Sequence, residues 1–195
     1  MYRNRQFRRE PLRPDDIAKL RATASSITNR AIVETLLSTG VRIHEFIQFT
    51  PDDLDTTHNT IVVKKGKGGV RRQVYISNDA AAALTKLWSR DGAGKLTARK
   101  CQYRLAKLQA RARIERNCSP HRLRHTFAVQ TLTSGVSIET VRQMLGHSSL
   151  QMTALYLNLA PDRALDEMRT KLKPAARPEP RVHRGNQTKR PAPTA

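Results

Sequence analysis

A β-hairpin with a cationic tip is the strongest structural signal in this sequence. Residues 60–63 (TIVV) and 73–76 (QVYI) have the β-branched and aromatic composition of strands. Between them, residues 64–69 read KKGKGG, a turn that combines glycines with three lysines. We therefore predict a pair of antiparallel strands that is joined by a basic turn.

The rest of the chain has the apolar periodicity of helices. Pro14 opens the first predicted helix, Gly40 ends the second, and a short third helix must end before Pro51. Together with the hairpin, these helices predict a mainly α fold with a small antiparallel β-sheet, in the α+β class. The predicted helices run from Pro14 beyond Leu20 and from Ile43 to about Ile47, and cover about residues 29–39, 79–89, 97–114, 121–134, 138–145, 149–157 and 162–172.

Basic residues dominate the charge of the chain. Lys and Arg number 36 against 16 Asp and Glu, which gives a formal net charge of +20. Such an excess repels itself unless a polyanion or salt screens it, so the charge favours a nucleic-acid partner. A ribosomal-type protein and a cationic secreted protein are the other classes that this charge allows.

The two ends of the chain differ in composition from its middle. We expect a basic arm at residues 1–11, one folded domain at 12–173, and a disordered basic, proline-rich tail at 174–195. Cys101 and Cys118 do not form a paired motif, and no apolar run resembles a signal peptide or a membrane span. These features predict a cytoplasmic protein without a membrane partner.

Several residues have the chemistry that cleavage of a phosphodiester requires. That reaction needs positive charge beside the nonbridging oxygens, a nucleophile, and a proton for the leaving oxygen. Arg42 follows Gly40 at the start of a short helix, where its planar guanidinium suits a phosphate. Arg124 lies three residues after His121, so both share one face of a helix.

Two further candidates lie near the C-terminal end of the folded domain. His147 falls in the junction between two predicted helices, and Tyr156 lies off the apolar stripe of the helix that follows. Taken singly, His147 also fits an exposed loop histidine and Tyr156 a packed tyrosine with a wet hydroxyl. Arg42 taken alone likewise fits a solvated surface arginine.

A zinc site is an alternative interpretation of the region around His121. Cys118, His121 and His125 have side chains that bind zinc, but no fourth ligand with a familiar spacing is present. We therefore expect no metal and expect His125 to pack between helices.

The chain resembles the tyrosine recombinase, or phage integrase, family in four blocks that occur in the family's order. The blocks are residues 39–45 (TGVRIHE), 66–68 (GKG), 120–128 (PHRLRHTFA) and 145–149 (LGHSS), and Tyr156 follows His147 by nine positions. The resemblance spans about residues 12 to 172. It implies that residues 12–173 form a catalytic domain of the tyrosine recombinase type.

The resemblance implies a site-specific DNA recombinase that cleaves and rejoins double-stranded DNA, in integration, excision, inversion or resolution. The hydroxyl of Tyr156 would attack the scissile phosphate and form a 3′-phosphotyrosyl bond, without a metal, ATP or other cofactor. Arg42 and Arg124 would stabilise the pentavalent phosphorane. Lys67 would protonate the leaving 5′ oxygen.

The same resemblance implies supporting roles and an assembly. His121 would assist proton transfer, His147 would bond a nonbridging oxygen, and Glu45 would orient the site. Family members act as homotetramers on paired sites, and residues 162–172 fit the segment that is passed to a neighbour. We expect such a protein to associate with the nucleoid.

Some points stay open at the level of the sequence. Lys64 and Lys65 compete with Lys67 for the acid role, although the glycine-flanked Lys67 matches the family. His44 occupies a position that the family often fills with a small residue. About eleven residues precede the catalytic region, where family members commonly carry a helical domain, so the chain is a compact member or a fragment. A noncatalytic DNA-binding regulator and a topoisomerase-like strand transferase are the alternative functions.

Overall fold

The described part of the protein contains seven α-helices, one 3₁₀ helix (Pro51–Asp53) and three short strands. The computed structural model describes residues 10–64 and 71–147. The helices are α1 (Pro14–Thr23), α2 (Ile27–Thr39), α3 (Ile43–Phe46), α4 (Asn78–Asp91), α5 (Ala98–Arg111), α6 (Pro120–Thr133) and α7 (Ile138–Leu145), and the strands are β1 (Leu54–Asp55), β2 (Thr60–Val63) and β3 (Arg72–Tyr75). The predicted mainly α fold with a small antiparallel sheet is confirmed.

Serine and threonine side chains cap the N-termini of five of these helices. In each case the hydroxyl accepts a hydrogen bond from the backbone N–H three residues later, which satisfies a donor that the helix cannot pair by itself. The caps are Ser26 for α2, Ser77 for α4, Thr97 for α5, Ser119 for α6 and Ser137 for α7, with distances of 3.1 to 3.3 Å. The caps explain why the observed helices start within two residues of the predicted starts.

The sheet has the order β1–β2–β3 and is antiparallel throughout. In the predicted hairpin, Thr60 pairs with Tyr75 and Val63 pairs with Arg72. β1 adds a third strand through the pairing of Leu54 with Ile61. The sequence does not predict β1, because two residues carry no alternation.

α2 lies at the centre of the hydrophobic core. It packs against α1, α4, α5 and α6, and its Ile32 and Leu36 are fully buried. A second cluster joins α6 to α7 through Leu132, Val141 and Leu145. Because α6 contacts both α2 and α7, and α7 also contacts β3, α6 and α7 connect the central helix to the sheet.

Some predictions fall outside the described residues. They are the helices at 149–157 and 162–172, the tip of the hairpin, most of the basic arm, and the tail. Within the described ranges, no helix is both long enough and apolar enough to cross a membrane.

Candidate active site

Arg124 is buried in α6, and its guanidinium joins two other elements. The residue is 4% exposed. Its Nη1 donates to the carbonyl of Gly40 and its Nη2 to the carbonyl of Leu145, each at 2.7 Å. Arg124 therefore ties the end of α2, two residues before Arg42, to the end of α7, two residues before His147. Hydrogen bonds from a charged donor are among the stronger ones in proteins, so this link is firm.

Gly40 is required at the end of α2. It has a left-handed backbone, with φ of 62°, and it caps the helix. A Cβ at this position would lie 2.2 Å from a ring carbon of Phe127. The absence of a side chain thus allows the chain to turn tightly against α6 and to present Arg42 at the start of α3.

Arg42 is exposed, and Glu45 restrains it. The side chain of Arg42 is 47% exposed. The carboxylate of Glu45 accepts a hydrogen bond from the Arg42 backbone N–H at 2.7 Å and another from Arg42 Nη1 at 3.3 Å. A guanidinium that faces solvent from a restrained backbone can contact an external phosphate. These bonds place Glu45 beside Arg42, and its orienting role stays a prediction.

Arg72, at the start of β3, belongs to the same site although the sequence patterns did not single it out. Its Nη1 and Nη2 donate to the two carboxylate oxygens of Glu45 at 3.0 and 2.9 Å, and its Nε donates to the Met144 carbonyl at 2.8 Å. A signal was present, because strand alternation places Arg72 on the same face as the buried Val74 and Ile76. An arginine on a buried face must find partners.

His147 follows α7 in a turn whose backbone N–H and carbonyl both form hydrogen bonds with Arg142. Gly146 caps α7 with a left-handed backbone, with φ of 64°. The His147 N–H donates to the Arg142 carbonyl at 3.1 Å, and Arg142 Nη1 donates to the His147 carbonyl at 2.9 Å. The histidine itself is 7% exposed. His147 therefore has a fixed backbone at the edge of the site.

Guanidinium groups from three elements surround the C-terminal end of α7. Carbonyls at a helix end have no partner within the helix and carry its negative partial charge, so cations stabilise them. The donors and acceptors are Arg72 to Met144, Arg124 to Leu145, and Arg142 to His147.

Burial and these charges together set the protonation of the site. Burial, followed by the nearby positive charges, lowers the pKa of His147 from 6.5 to about 4, and the contributing residues are Arg124, Arg42, Arg72 and Arg142. Burial alone would raise the pKa of Glu45, but the hydrogen bonds and charges of Arg72 and Arg42 lower it. His147 is thus neutral near pH 7, Glu45 is ionised, and Arg42, Arg72 and Arg124 leave a net charge of +2 with Glu45.

The remaining predicted residues differ in how far the structure describes them. His121 is exposed in the first turn of α6, one turn before Arg124. His44 is exposed, so its size does not disturb the packing of α3. Lys67 and Tyr156 lie outside the described residues.

Lys64 has a structural role that sets it apart from Lys67. Its ammonium forms an ion pair with Asp53 at 2.9 Å and donates to the hydroxyl of Thr50 at 3.2 Å. These bonds hold Lys64 at the end of β2. Lys64 is therefore a weaker candidate for the acid, while Lys65 lies outside the described residues.

The zinc alternative has no support in the described part of the chain. Burial raises the pKa of the Cys118 thiol to about 11, and its Sγ lies 3.6 Å from the Arg116 carbonyl, to which it donates. Among residues 10–64 and 71–147, no group of three or more His, Cys, Asp or Glu side chains is arranged to hold a metal ion.

The described structure thus places arginines from three separate elements around the turn that carries His147. The sequence pattern of the phage integrase family matches residues 10–163. This chain belongs to the phage integrase family.

Individual relatives agree with this assignment. Tyrosine recombinase XerC of Leptospira interrogans is 32% identical over 167 residues, which cover 78% of this chain and 53% of the relative. The crystal structure of XerA recombinase matches with a TM-score of 0.71 and 30% identity, over 85% of this chain and 66% of that chain. The catalytic domain of bacteriophage HP1 integrase matches with a TM-score of 0.65 and 28% identity, over 86% of this chain and 97% of that domain. The chain spans about half the length of the curated relatives that it matches.

Proposed function

We propose that this chain is a site-specific DNA recombinase that cleaves and rejoins double-stranded DNA through a 3′-phosphotyrosyl intermediate. The observation that carries the proposal is the junction at Arg124, which links the segment before Arg42 to the segment before His147. Two guanidinium groups and a neutral imidazole from distant parts of the chain thereby come to one site. The similarity to proteins named tyrosine recombinases supports this assignment.

The electrostatics of the site suit a phosphate whose negative charge grows during the reaction. Arg124 is buried, where charge interactions are stronger than in water, and two carbonyls fix its plane before a substrate arrives. Arg42 is exposed and can approach the same phosphate from the solvent side. Neutral His147 can donate a hydrogen bond to a nonbridging oxygen.

The proposed reaction conserves the energy of the broken ester. The Tyr156 oxygen attacks the phosphorus and forms a new P–O bond, while the bond from phosphorus to the 5′ oxygen breaks. His121 assists removal of the phenol proton, and the Lys67 ammonium gives its proton to the leaving oxygen. Attack of a 5′-hydroxyl from a second strand on the phosphotyrosine then reverses these steps, with Tyr156 as the leaving group.

We further propose double-stranded DNA as the partner, bound by a homotetramer on paired sites. The formal charge of +20 supports a polyanionic partner. α5 has a strongly basic exposed surface that could lie along DNA, formed by Arg99, Lys100, Lys107 and Arg111. The division into an arm at 1–11, a catalytic domain at 12–173 and a tail at 174–195, and association with the nucleoid, belong to the same proposal.

Covalent capture tests the function directly. A library of DNA duplexes, each with a nick beside a candidate cleavage position, is incubated with the protein, and adducts that resist denaturation are isolated and sequenced. We expect the wild-type chain to be captured and Tyr156→Phe to bind DNA without forming an adduct, because its ring lacks the nucleophilic oxygen. The matched control is Tyr75→Phe, which alters an exposed tyrosine of β3 and should be captured like wild type.

The outcomes separate the alternatives. An adduct that persists in Tyr156→Phe means that another residue is the nucleophile. DNA binding without any adduct in the wild-type chain identifies a noncatalytic regulator. An adduct accompanied by relaxation of supercoiled DNA, but never by exchange between two duplexes, identifies a topoisomerase-like strand transferase.

A further inference from the structure

Arg72 makes a second connection across the site, parallel to that of Arg124. Its guanidinium forms a two-pronged pair with the carboxylate of Glu45, at 3.0 and 2.9 Å, and its Nε donates to the Met144 carbonyl at 2.8 Å. The side chain is 13% exposed. All three guanidinium nitrogens of Arg72 therefore donate to protein groups, and the side chain is largely shielded from water.

The connection reaches Arg42 through Glu45. The same carboxylate accepts from the Arg42 backbone N–H at 2.7 Å and from Arg42 Nη1 at 3.3 Å. A carboxylate in contact with two arginines could rotate toward either, and the paired geometry with Arg72 fixes which way it faces. The position of Arg42 thus depends on Arg72 although the two arginines share no direct hydrogen bond in the described structure.

The connection also reaches the turn that carries His147. Met144 lies three residues before His147, and Gly146 lies between them. A Cβ at Gly146 would lie 2.8 Å from Arg72 Nη1 and 2.9 Å from Arg72 Cζ. The planar guanidinium therefore packs directly on the backbone of this turn, and the glycine leaves the space for it.

Arg72 differs in both net charge and exposure from an arginine that is suited to bind a phosphate. The negative charge of Glu45 offsets that of Arg72, and its side chain is far less exposed than that of Arg42. Arg72 is therefore poorly placed to bind DNA itself. Its described contacts are with groups that position other residues.

We propose that Arg72 is a positioning residue for strand cleavage, which holds Arg42, through Glu45, at a fixed place relative to the turn of His147. This inference rests on the function proposed above. Its physical basis is that a displacement of about 1 Å in a catalytic group can slow a reaction by about 100-fold. Arg72 acts on the rate of cleavage and has little effect on the affinity for DNA.

The test separates rate from affinity on a nicked duplex that the wild-type chain captures. The rate of adduct formation is measured at saturating protein, and the affinity is measured with an intact duplex of the same sequence. We expect Arg72→Gln and Arg72→Lys each to slow capture by about 10- to 100-fold, with affinity changed by no more than about threefold. Arg72→Lys keeps the charge but cannot form the two-pronged pair, so its defect isolates geometry.

The neighbouring arginine supplies the control. Arg71 is exposed, and Arg71→Gln removes the same charge one residue away. We expect Arg71→Gln to be captured at the wild-type rate. If Arg72→Gln behaves like Arg71→Gln, or if it loses affinity and rate in proportion, the positioning role is wrong.

A double variant tests the route through Glu45. If Arg72 acts through this carboxylate, Arg72→Gln combined with Glu45→Gln is no slower than the slower single variant. If the fold reductions in rate of the two single variants multiply in the double variant, Arg72 acts independently of Glu45 and the proposal is overturned. Thermal unfolding identifies the folded fraction of each variant, so that rates are compared per folded molecule.

A measurement without catalysis keeps the inference testable if the wild-type chain forms no adduct. Hydrogen exchange of the Arg42 backbone amide reports its bond to Glu45. We expect faster exchange of this amide in Arg72→Lys and no change in Arg71→Gln. Faster exchange in a chain that never forms an adduct would support the positioning contact and refute the recombinase function, whereas unchanged exchange would overturn the positioning contact itself.

Discussion

Arg124 and Arg72 join the same two regions of the molecule, but with different partners. Arg124 donates to two neutral carbonyls, whereas Arg72 donates to one carbonyl and to the carboxylate of Glu45. Both connect the α2–α3 segment to the end of α7. The charge of the Arg72 bridge is therefore offset by a carboxylate within hydrogen-bond distance.

The difference indicates a division of labour between the two arginines. A buried guanidinium such as that of Arg124 attracts an anion strongly, because charge interactions are stronger there than in water. A cation in a paired carboxylate contact has lost much of that attraction but keeps its directional bonds. Under the proposed function, Arg124 would contribute both charge and connection, and Arg72 would mainly connect the two regions.

The largest effect is expected for Arg124→Lys. An ammonium keeps the charge but cannot span two carbonyls as the guanidinium does, and each buried carbonyl left without a donor costs about 1–3 kcal/mol. Loss of the oriented donors toward the phosphate should slow covalent capture by about 100-fold or more. Chemical unfolding and single-turnover capture measure the two effects.

This variant would break the comparison if it lost no more stability than Arg72→Lys and still cleaved DNA faster than Arg72→Lys. In that case the buried arginine would be the lesser scaffold, and the assignment of roles would have to be reversed.

An intermediate effect is expected from pH, through His147. Its pKa is 6.5 when unperturbed and about 4 in the folded protein, so the unfolded chain binds an extra proton between these values. The contribution of neutral His147 to the free energy of unfolding should be fully present well above pH 6.5. The free energy of unfolding should fall by up to about 3 kcal/mol as pH drops toward 4. Denaturant unfolding at several pH values checks this, and His147→Asn should remove that part of the dependence.

The same histidine can compare the charges of the two bridges. Among the charges that lower its pKa, Arg124 contributes more than Arg72. An NMR titration should therefore find the His147 pKa raised more by Arg124→Gln than by Arg72→Gln. Equal shifts would contradict this order of the two contributions.

The smallest effect is expected for Gly146→Ala. The new Cβ would be strained at φ of 64° and would press on the guanidinium of Arg72 at 2.8 Å, so stability should fall by about 1–2 kcal/mol. Gly94→Ala is the matched control, because Gly94 also has a positive φ, of 76°, but a Cβ there would meet nothing within 4 Å. The difference in unfolding free energy between the two variants isolates the contact with Arg72. If there is no difference, the guanidinium moves aside without cost.

Local chemistry in the sequence predicted most of the described fold. Proline, serine and glycine mark helix ends because of their own backbone and capping preferences, and the hairpin follows from β-branched runs around glycines. β1 was missed because its two residues form a strand only when β2 lies beside them.

The site was predictable in part. The blocks around Arg42, Arg124 and His147 identified residues that the fold brings together, whereas Lys67 and Tyr156 stay predictions. Arg72 was missed because its partners, Glu45 and Met144, lie 27 and 72 residues away in the chain. Strand alternation showed that Arg72 faces inward, but periodicity cannot name a partner from another element.

The long reach of these bonds has a consequence for the life of the protein. The Gly40–Arg124 contact spans 84 residues and the Arg72–Met144 contact spans 72, so neither can form early in synthesis. A nascent or partly unfolded chain has the reactive residue types but not their arrangement. Under the proposed function, the ability to cleave DNA would therefore be acquired only together with tertiary structure.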